Sequence, residues 1–215
     1  MATTKIDRAQ VADTALRLLN EVGLDGLTLR AIAKELGVQA PALYWHFKNK
    51  QALLDEMATV MYRRLMADGI PGAEAESWQE MVRAVSRALR TMMLGYRDGA
   101  KVYGGARFTG TDHAESLEVY LGALLKAGFT QRDATRATMT SYAYTMGFVA
   151  EEQGTEPRPG ERGEGVDVAA RAAALAAYPL AAAAGPELFE ANDERFEEGL
   201  DVVVAGIEAV YPRRG

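Results

Sequence analysis

Apolar positions along this chain recur every three or four residues, and the pattern is sharpest from Thr28 to Lys50, TLRAIAKELGVQAPALYWHFKNK. Leu29, Ile32, Ala33 and Leu36 share one helical face, which leaves Arg30 and Lys34 off it. Gly37 stands where that helix must stop, and Val38 can fill the corner between two steeply crossing helices. A second helix is predicted from Gln39 or Ala40 to His46, with Pro41 tolerated because early helical positions lack an intrahelical N–H partner. Leu43 and Phe47 point inward. Ala40, Ala42, Tyr44, Trp45, His46 and Lys48 face outward or along the rim, an aromatic surface too large for an idle solvent face. This is helix-turn-helix grammar.

The same period organises the flanks. A first helix is predicted from Asp7 to Val22, with Val11, Ala15, Leu18, Leu19 and Val22 on one stripe, Asp7 as its cap and Gly23 as its end. Leu24 and Leu27 bracket a turn at Asp25-Gly26, after which Thr28 caps the next helix. A longer helix from Asn49 to Ala67 presents Leu53, Leu54, Met57, Val60, Met61 and Leu65 inward. Its free N–H groups, near Asn49 and Lys50, favour a phosphate. Asp68-Gly69-Ile70-Pro71-Gly72 then breaks the chain. Further helices are predicted over 77–96, 99–103, 111–127, 131–152 and 192–210. Ser77 and Glu80 form a capping box ahead of the stripe Trp78, Met81, Val82, Val85, Leu89 and Met92. GTEPRPGERGEG, 154–165, reads as a mobile loop, and the Ala-rich run from Val166 to Ala184 is interrupted by Pro179.

Strand signals are weak, so the predicted fold is all-α. With 215 residues, 48% of them apolar, the chain can bury a real core in one large or two small domains. No apolar run reaches the roughly 18 residues of a membrane span, and the first twenty residues lack a signal-peptide layout, so a cytoplasmic protein without membrane contact is expected. The absence of cysteine excludes disulfides and thiolate metal sites. A net charge of −6 argues against nucleic acid until it is divided. Residues 1–50 hold seven Lys and Arg against five Asp and Glu, whereas the remainder holds 17 against 25. The N-terminus is therefore the part that can face phosphate, with modest and salt-sensitive non-specific affinity.

The run LRLLNEVGLDGLTLRAIAKELGVQAPALYWHFKNKQALLDEMA, above all YWH-x-KNK followed by ALLD, resembles the DNA-binding domain of the tetracycline-repressor family of bacterial regulators. ESWQEM, YRDGAKVY and GFVAEEQ extend the resemblance into the C-terminal domain of the tetracycline repressor itself, over most of residues 5–153 and more weakly the last helix. The resemblance implies a helix-turn-helix DNA-binding domain at 1–50 with a connector helix at 49–67, and a ligand-binding and dimerisation domain at 68–215. It implies a homodimeric repressor that binds a near-palindromic double-stranded DNA operator and is released by a small-molecule effector.

Carried onto this sequence, the resemblance assigns Arg30 to a guanine, read through O6 and N7. Ala40, Pro41 and Ala42 supply apolar contact, and Thr28 and Gln39 also belong to the DNA-facing set. Tyr44, Trp45, His46 and Lys50 hold phosphates or a neighbouring base edge. The residues alone leave two alternatives open: a surface ion pair for Arg30 and a core position for Trp45. In the C-terminal domain, Met66, Val85 and Tyr103 stand where the tetracycline repressor has histidine and asparagine for the drug and its magnesium. With Leu89, Arg107, Phe108, Tyr120, Met139, Tyr142 and Glu151, they make an apolar, aromatic site for a bulky, flat or hydrophobic molecule bound without metal or cofactor. The alternative is that these Met and Tyr side chains merely fill core.

An enzyme is the rival class, together with a helical binding protein that does not touch DNA. The chain lacks Gly-x-Ser-x-Gly, the Gly-rich phosphate loop and His-Glu-x-x-His, and His46 and His113 are its two imidazoles. His113 reads as solvent-facing near a turn, and Glu151 and Glu152 as solvated charge near a helix end.

Overall fold

The computed structural model describes residues 7–155 and 165–211, which form twelve helices and, among the described residues, no strand. The expected polar tail 1–5 lies outside the described residues, as does most of the expected loop 154–165. Gly154 and Thr155 instead complete a long helix.

Helix α1, Arg8–Gly26, begins where Asp7 accepts a hydrogen bond from the Gln10 N–H at 2.8 Å. The helical path breaks at Gly23, at φ 70°, and then resumes for a short turn through Asp25-Gly26. A side chain at Gly23 would meet both an unfavourable backbone and the Arg97 guanidinium. Val22, just before the break, is exposed rather than inward.

Helix α2, Leu29–Glu35, is capped by Thr28, whose Oγ1 accepts from the Ala31 N–H at 3.1 Å. Gly37 carries the left-handed corner at φ 67°, with open space around it, so conformation rather than crowding makes glycine suit this position. Helix α3, Ala40–Tyr44, is two residues shorter than its pattern predicts. It closes in turns that bring the N–H groups of His46 and Phe47 onto the Leu43 carbonyl. Leu43 and Phe47 are fully buried. Asn49 caps α4, Lys50–Leu65, which packs along α1.

Beyond the Gly69 to Gly72 turn come α5 (Trp78–Leu94), α6 (Gly99–Tyr103), α7 (His113–Lys126) and α8 (Gln131–Thr155). Ser77 caps α5 through the Glu80 N–H, as its capping box requires. The Ala-rich run divides into α9 (Val168–Ala174), α10 (Pro179–Ala183) and α11 (Gly185–Phe189), with Pro179 opening α10 rather than interrupting a longer helix. Helix α12, Asn192–Val210, closes the chain and packs against α8 and α5.

Two apolar clusters hold these elements. The first joins α1 to α4 with Leu89 and Met93 of α5, Val102 and Tyr103 of α6, and Val149 of α8. The second is centred on Trp78, Tyr120, Leu124, Phe196, Leu200 and Ile207. Charge reinforces the packing of α5 on α12 and α8: Arg83 pairs with Asp201, Arg87 with Glu197, and Arg90 with both Asp193 of α12 and Glu152 of α8. Glu152 is therefore not solvated charge. It is buried and accepts two hydrogen bonds from Arg90, while its neighbour Glu151 is exposed.

Candidate nucleic-acid interface and effector cavity

The helix-turn-helix presents a face of defined composition. Arg30 is exposed and has no ion pair or hydrogen bond among the described residues, so the surface ion-pair alternative finds no partner. Trp45 is 90% exposed and Tyr44 55%, which rules out a core role for Trp45 in this arrangement. Their exposure follows from α3 being short: Leu43 and Phe47 turn into the core, and the intervening residues must point out. Gln39 and Pro41 are exposed at the start of α3, with Ala40 and Ala42 half-buried beside them.

Two of the predicted contacts have other occupations. Thr28 uses its hydroxyl to cap α2. Lys50 donates from Nζ to the Leu24 carbonyl at 2.8 Å. His46 is half-buried, and its carbonyl accepts from Arg8 at 2.6 Å. Arg8, which the pattern did not single out, also pairs with buried Glu56 and lies over the Phe47 ring at 4.5 Å. It ties α1, the turn after α3 and α4 into one head. Arg17 is held by Glu35, so Arg30, Lys34 and Lys48 are the cations of the described head without a protein partner.

At the far end of α4 lies a cavity of about 240 Å³. Tyr62, Leu65 and Met66 form one wall, Val85, Ser86 and Leu89 of α5 a second, and Thr138, Met139, Ser141 and Tyr142 of α8 a third. Phe108 sits among three rings, 5.1 Å from Tyr62, 5.5 Å from Tyr103 and 5.6 Å from His113. Burial pushes the Tyr103 and Tyr120 phenols well above the ordinary range, and it raises Tyr62 and Tyr142 in the same direction. These tyrosines are neutral hydrogen-bonding groups.

Of the residues singled out for a ligand, Met66, Val85, Leu89, Tyr103, Phe108, Tyr120, Met139 and Tyr142 line this one cavity. Arg107 does not: its side chain is exposed, and its N–H donates to Asp55. Glu151 lines a separate hollow with Tyr144, Phe148, Leu188 and Asn192. His113 is also placed differently from its solvent-facing reading. It lines the cavity, and its Nδ1 is buried. The polar stretch TGTDHAES conceals this, because α7 begins at His113 itself and turns His113, Ser116 and Tyr120 to the same side. That i, i+3, i+7 spacing was the available signal.

A helix-turn-helix head joined by one helix to an apolar, aromatic cavity defines a class of one-component regulator. Comparison with known proteins names the family. Residues 11–57 match the model of bacterial regulatory proteins of the tetR family, and residues 70–211 match the tetracyclin repressor-like C-terminal domain. The tetracycline repressor protein class A from transposon 1721 of Escherichia coli is 42% identical over 95% of this chain and 91% of its own. A possible TetR family transcriptional regulator from Streptomyces coelicolor A3(2) superposes with a TM-score of 0.80 at 39% identity, covering 95% of this chain and all of that one. TetR(class A) in complex with 5a,6-anhydrotetracycline and magnesium superposes with a TM-score of 0.67 at 35% identity, over 95% and 97% of the two chains. The chain belongs to the tetR family of bacterial regulatory proteins.

Proposed function

We propose that this protein is a transcriptional repressor that binds a near-palindromic operator as a homodimer and is released by a small aromatic or hydrophobic effector. The observation that carries this is the placement of α4. Its N-terminus is capped by Asn49 within the helix-turn-helix head, while Tyr62, Leu65 and Met66 at its other end line the cavity. A ligand that wedges between α4 and α5 thereby moves the head. Operator affinity falls by the ligand's preference for the displaced state.

In this reading α3 enters the major groove. Arg30 reads a guanine, Tyr44 and Trp45 lie against the backbone, and Ala40, Pro41 and Ala42 touch base edges. The head at 1–50, the connector at 49–67 and the remainder from 68 onward act as units linked by the apolar cluster they share. Dimerisation is supported by the outer faces of α8 and α12. Ala143, Gly147 and Ala150 on α8 are exposed, as are Val202, Ala205, Gly206 and Ala209 on α12. Two such pairs can approach closely as a four-helix bundle about a two-fold axis. No described helix is long and apolar enough to cross a membrane, in keeping with action on DNA in the cytoplasm.

Selection of bound duplexes from a random pool, with wild type and Arg30→Ala and with mass determined in solution, tests the proposal. A palindrome bound by a dimer is expected. The variant should relax one guanine position per half-site, by about 1–3 kcal/mol of discrimination. Failure to enrich any duplex at low salt would remove DNA binding from the reading and leave a helical small-molecule-binding protein.

A further inference from the structure

Three polar residues of the cavity lie on one stripe of α7. His113, Ser116 and Tyr120 share the face turned to the cavity, and the outer two are about 10 Å apart along the helix axis at 1.5 Å per residue. The middle group is occupied: Ser116 Oγ lies 2.6 Å from the Tyr62 hydroxyl. The outer two are not. His113 Nδ1 and the Tyr120 hydroxyl are buried without a hydrogen-bond partner among the described residues. Unpaired buried polar atoms are rare in folded proteins because each loses its water without replacement. Tyr120 is 8% exposed, and its neutral phenol can either donate or accept.

The rest of the lining is apolar, aromatic or hydroxyl-bearing, with no carboxylate, lysine or arginine. Magnesium requires oxygen ligands in a near-octahedron and is ordinarily held through one or two carboxylates. Among the described residues no group of three or more His, Cys, Asp and Glu is gathered to hold a metal ion. The donor set present here does not fit the ion named with anhydrotetracycline in the class A repressor.

We propose that this cavity takes a metal-free aromatic effector, flat enough to lie among Tyr62, Tyr103 and Phe108, whose hydrogen-bonding oxygens are met at two separate points by His113 and Tyr120. The proposal rests on the effector-released reading above. It favours neutral ligands, because a charged group of either sign would be buried with no compensating carboxylate, lysine or arginine. It also favours a compact ring system, since 240 Å³ lies below the roughly 300–1,000 Å³ typical of drug-sized sites.

Calorimetric titration of the full chain with a dihydroxyanthraquinone, first in chelator and then in excess magnesium, tests this. Wild type is expected to bind in chelator, with magnesium changing the affinity less than twofold. Tyr120→Phe and His113→Leu should each bind at least tenfold more weakly while melting cooperatively as wild type does. No binding by wild type, binding only with magnesium, or undiminished binding by Tyr120→Phe would overturn the proposal. The duplex selection is read independently of these titrations. An enriched palindrome beside a failed titration removes only the ligand assignment, whereas a successful titration with no enriched duplex removes only DNA binding.

Discussion

Two parts of the helical body bury polar side chains and treat them in opposite ways. Where α5 meets α8 and α12, Arg90 is 14% exposed, donates twice to buried Glu152 and once more to Asp193, and lies 5.0 Å over the Phe196 ring. The Glu152 hydrogen bond, ahead of the other causes, raises the Arg90 pKa further above its ordinary value. On α7, the cavity wall holds His113 and Tyr120 with polar atoms that no described group satisfies. The first arrangement specifies how three helices fit together. The second leaves hydrogen-bonding capacity in place for something that is not protein. Polarity inside a fold thus divides by whether the partner is built in.

The sharpest way to break this comparison is Glu152→Ala, which leaves Arg90 buried beside Asp193 alone. Unfolding in urea should show a loss of about 3–5 kcal/mol, the usual cost of removing one member of a buried pair. A loss under about 1 kcal/mol would mean that Asp193 suffices.

Ser116→Ala comes next. It strands the Tyr62 hydroxyl, so a cost of about 1–3 kcal/mol is expected in the same measurement.

Smaller still is Glu197→Gln. The Arg87 hydrogen bond holds the Glu197 carboxyl below its ordinary range. A depressed carboxylate contributes stability that is present above its unfolded-state pKa and is lost as pH falls through the folded one. Both partners are largely solvent-accessible, so the difference from wild type at neutral pH should be at most about 1 kcal/mol. It should shrink towards zero as pH is lowered through and below the carboxylate range.

Tyr120→Phe closes the series with an effect of about zero or a slight gain in the ligand-free protein, because the hydroxyl it removes has no partner to lose. A loss comparable to that of Ser116→Ala would place Tyr120 with the built-in network and erase the distinction.

Much of the head could be read before any coordinates. The caps at Asp7, Thr28 and Ser77 are local chemistry, in which a side-chain oxygen meets an N–H three residues on, and each lies where its spacing placed it. The inward pair Leu43 and Phe47 follows from helical period alone. What periodicity could not supply was the partner of each polar group. Lys50 reaches Leu24 across 26 residues, Arg8 reaches Glu56 across 48, and Arg90 reaches Glu152 across 62. None of those separations is a helical repeat. The cavity was legible as a set of apolar and aromatic positions, but Arg107 and Glu151 show how position within a resemblance misleads when a side chain turns away.

By itself, then, the sequence determined the helices other than α9 to α11, most of their ends, the corner at Gly37 and the outward face of the reading head. These depend on propensity, capping and a period of 3.6 residues, all of which act within a few positions. Only the tertiary structure decided which charges would be occupied within the protein and which of His113, Ser116 and Tyr120 would find a partner. Those outcomes depend on distances between segments far apart in the chain, set by how α4, α5, α7, α8 and α12 pack.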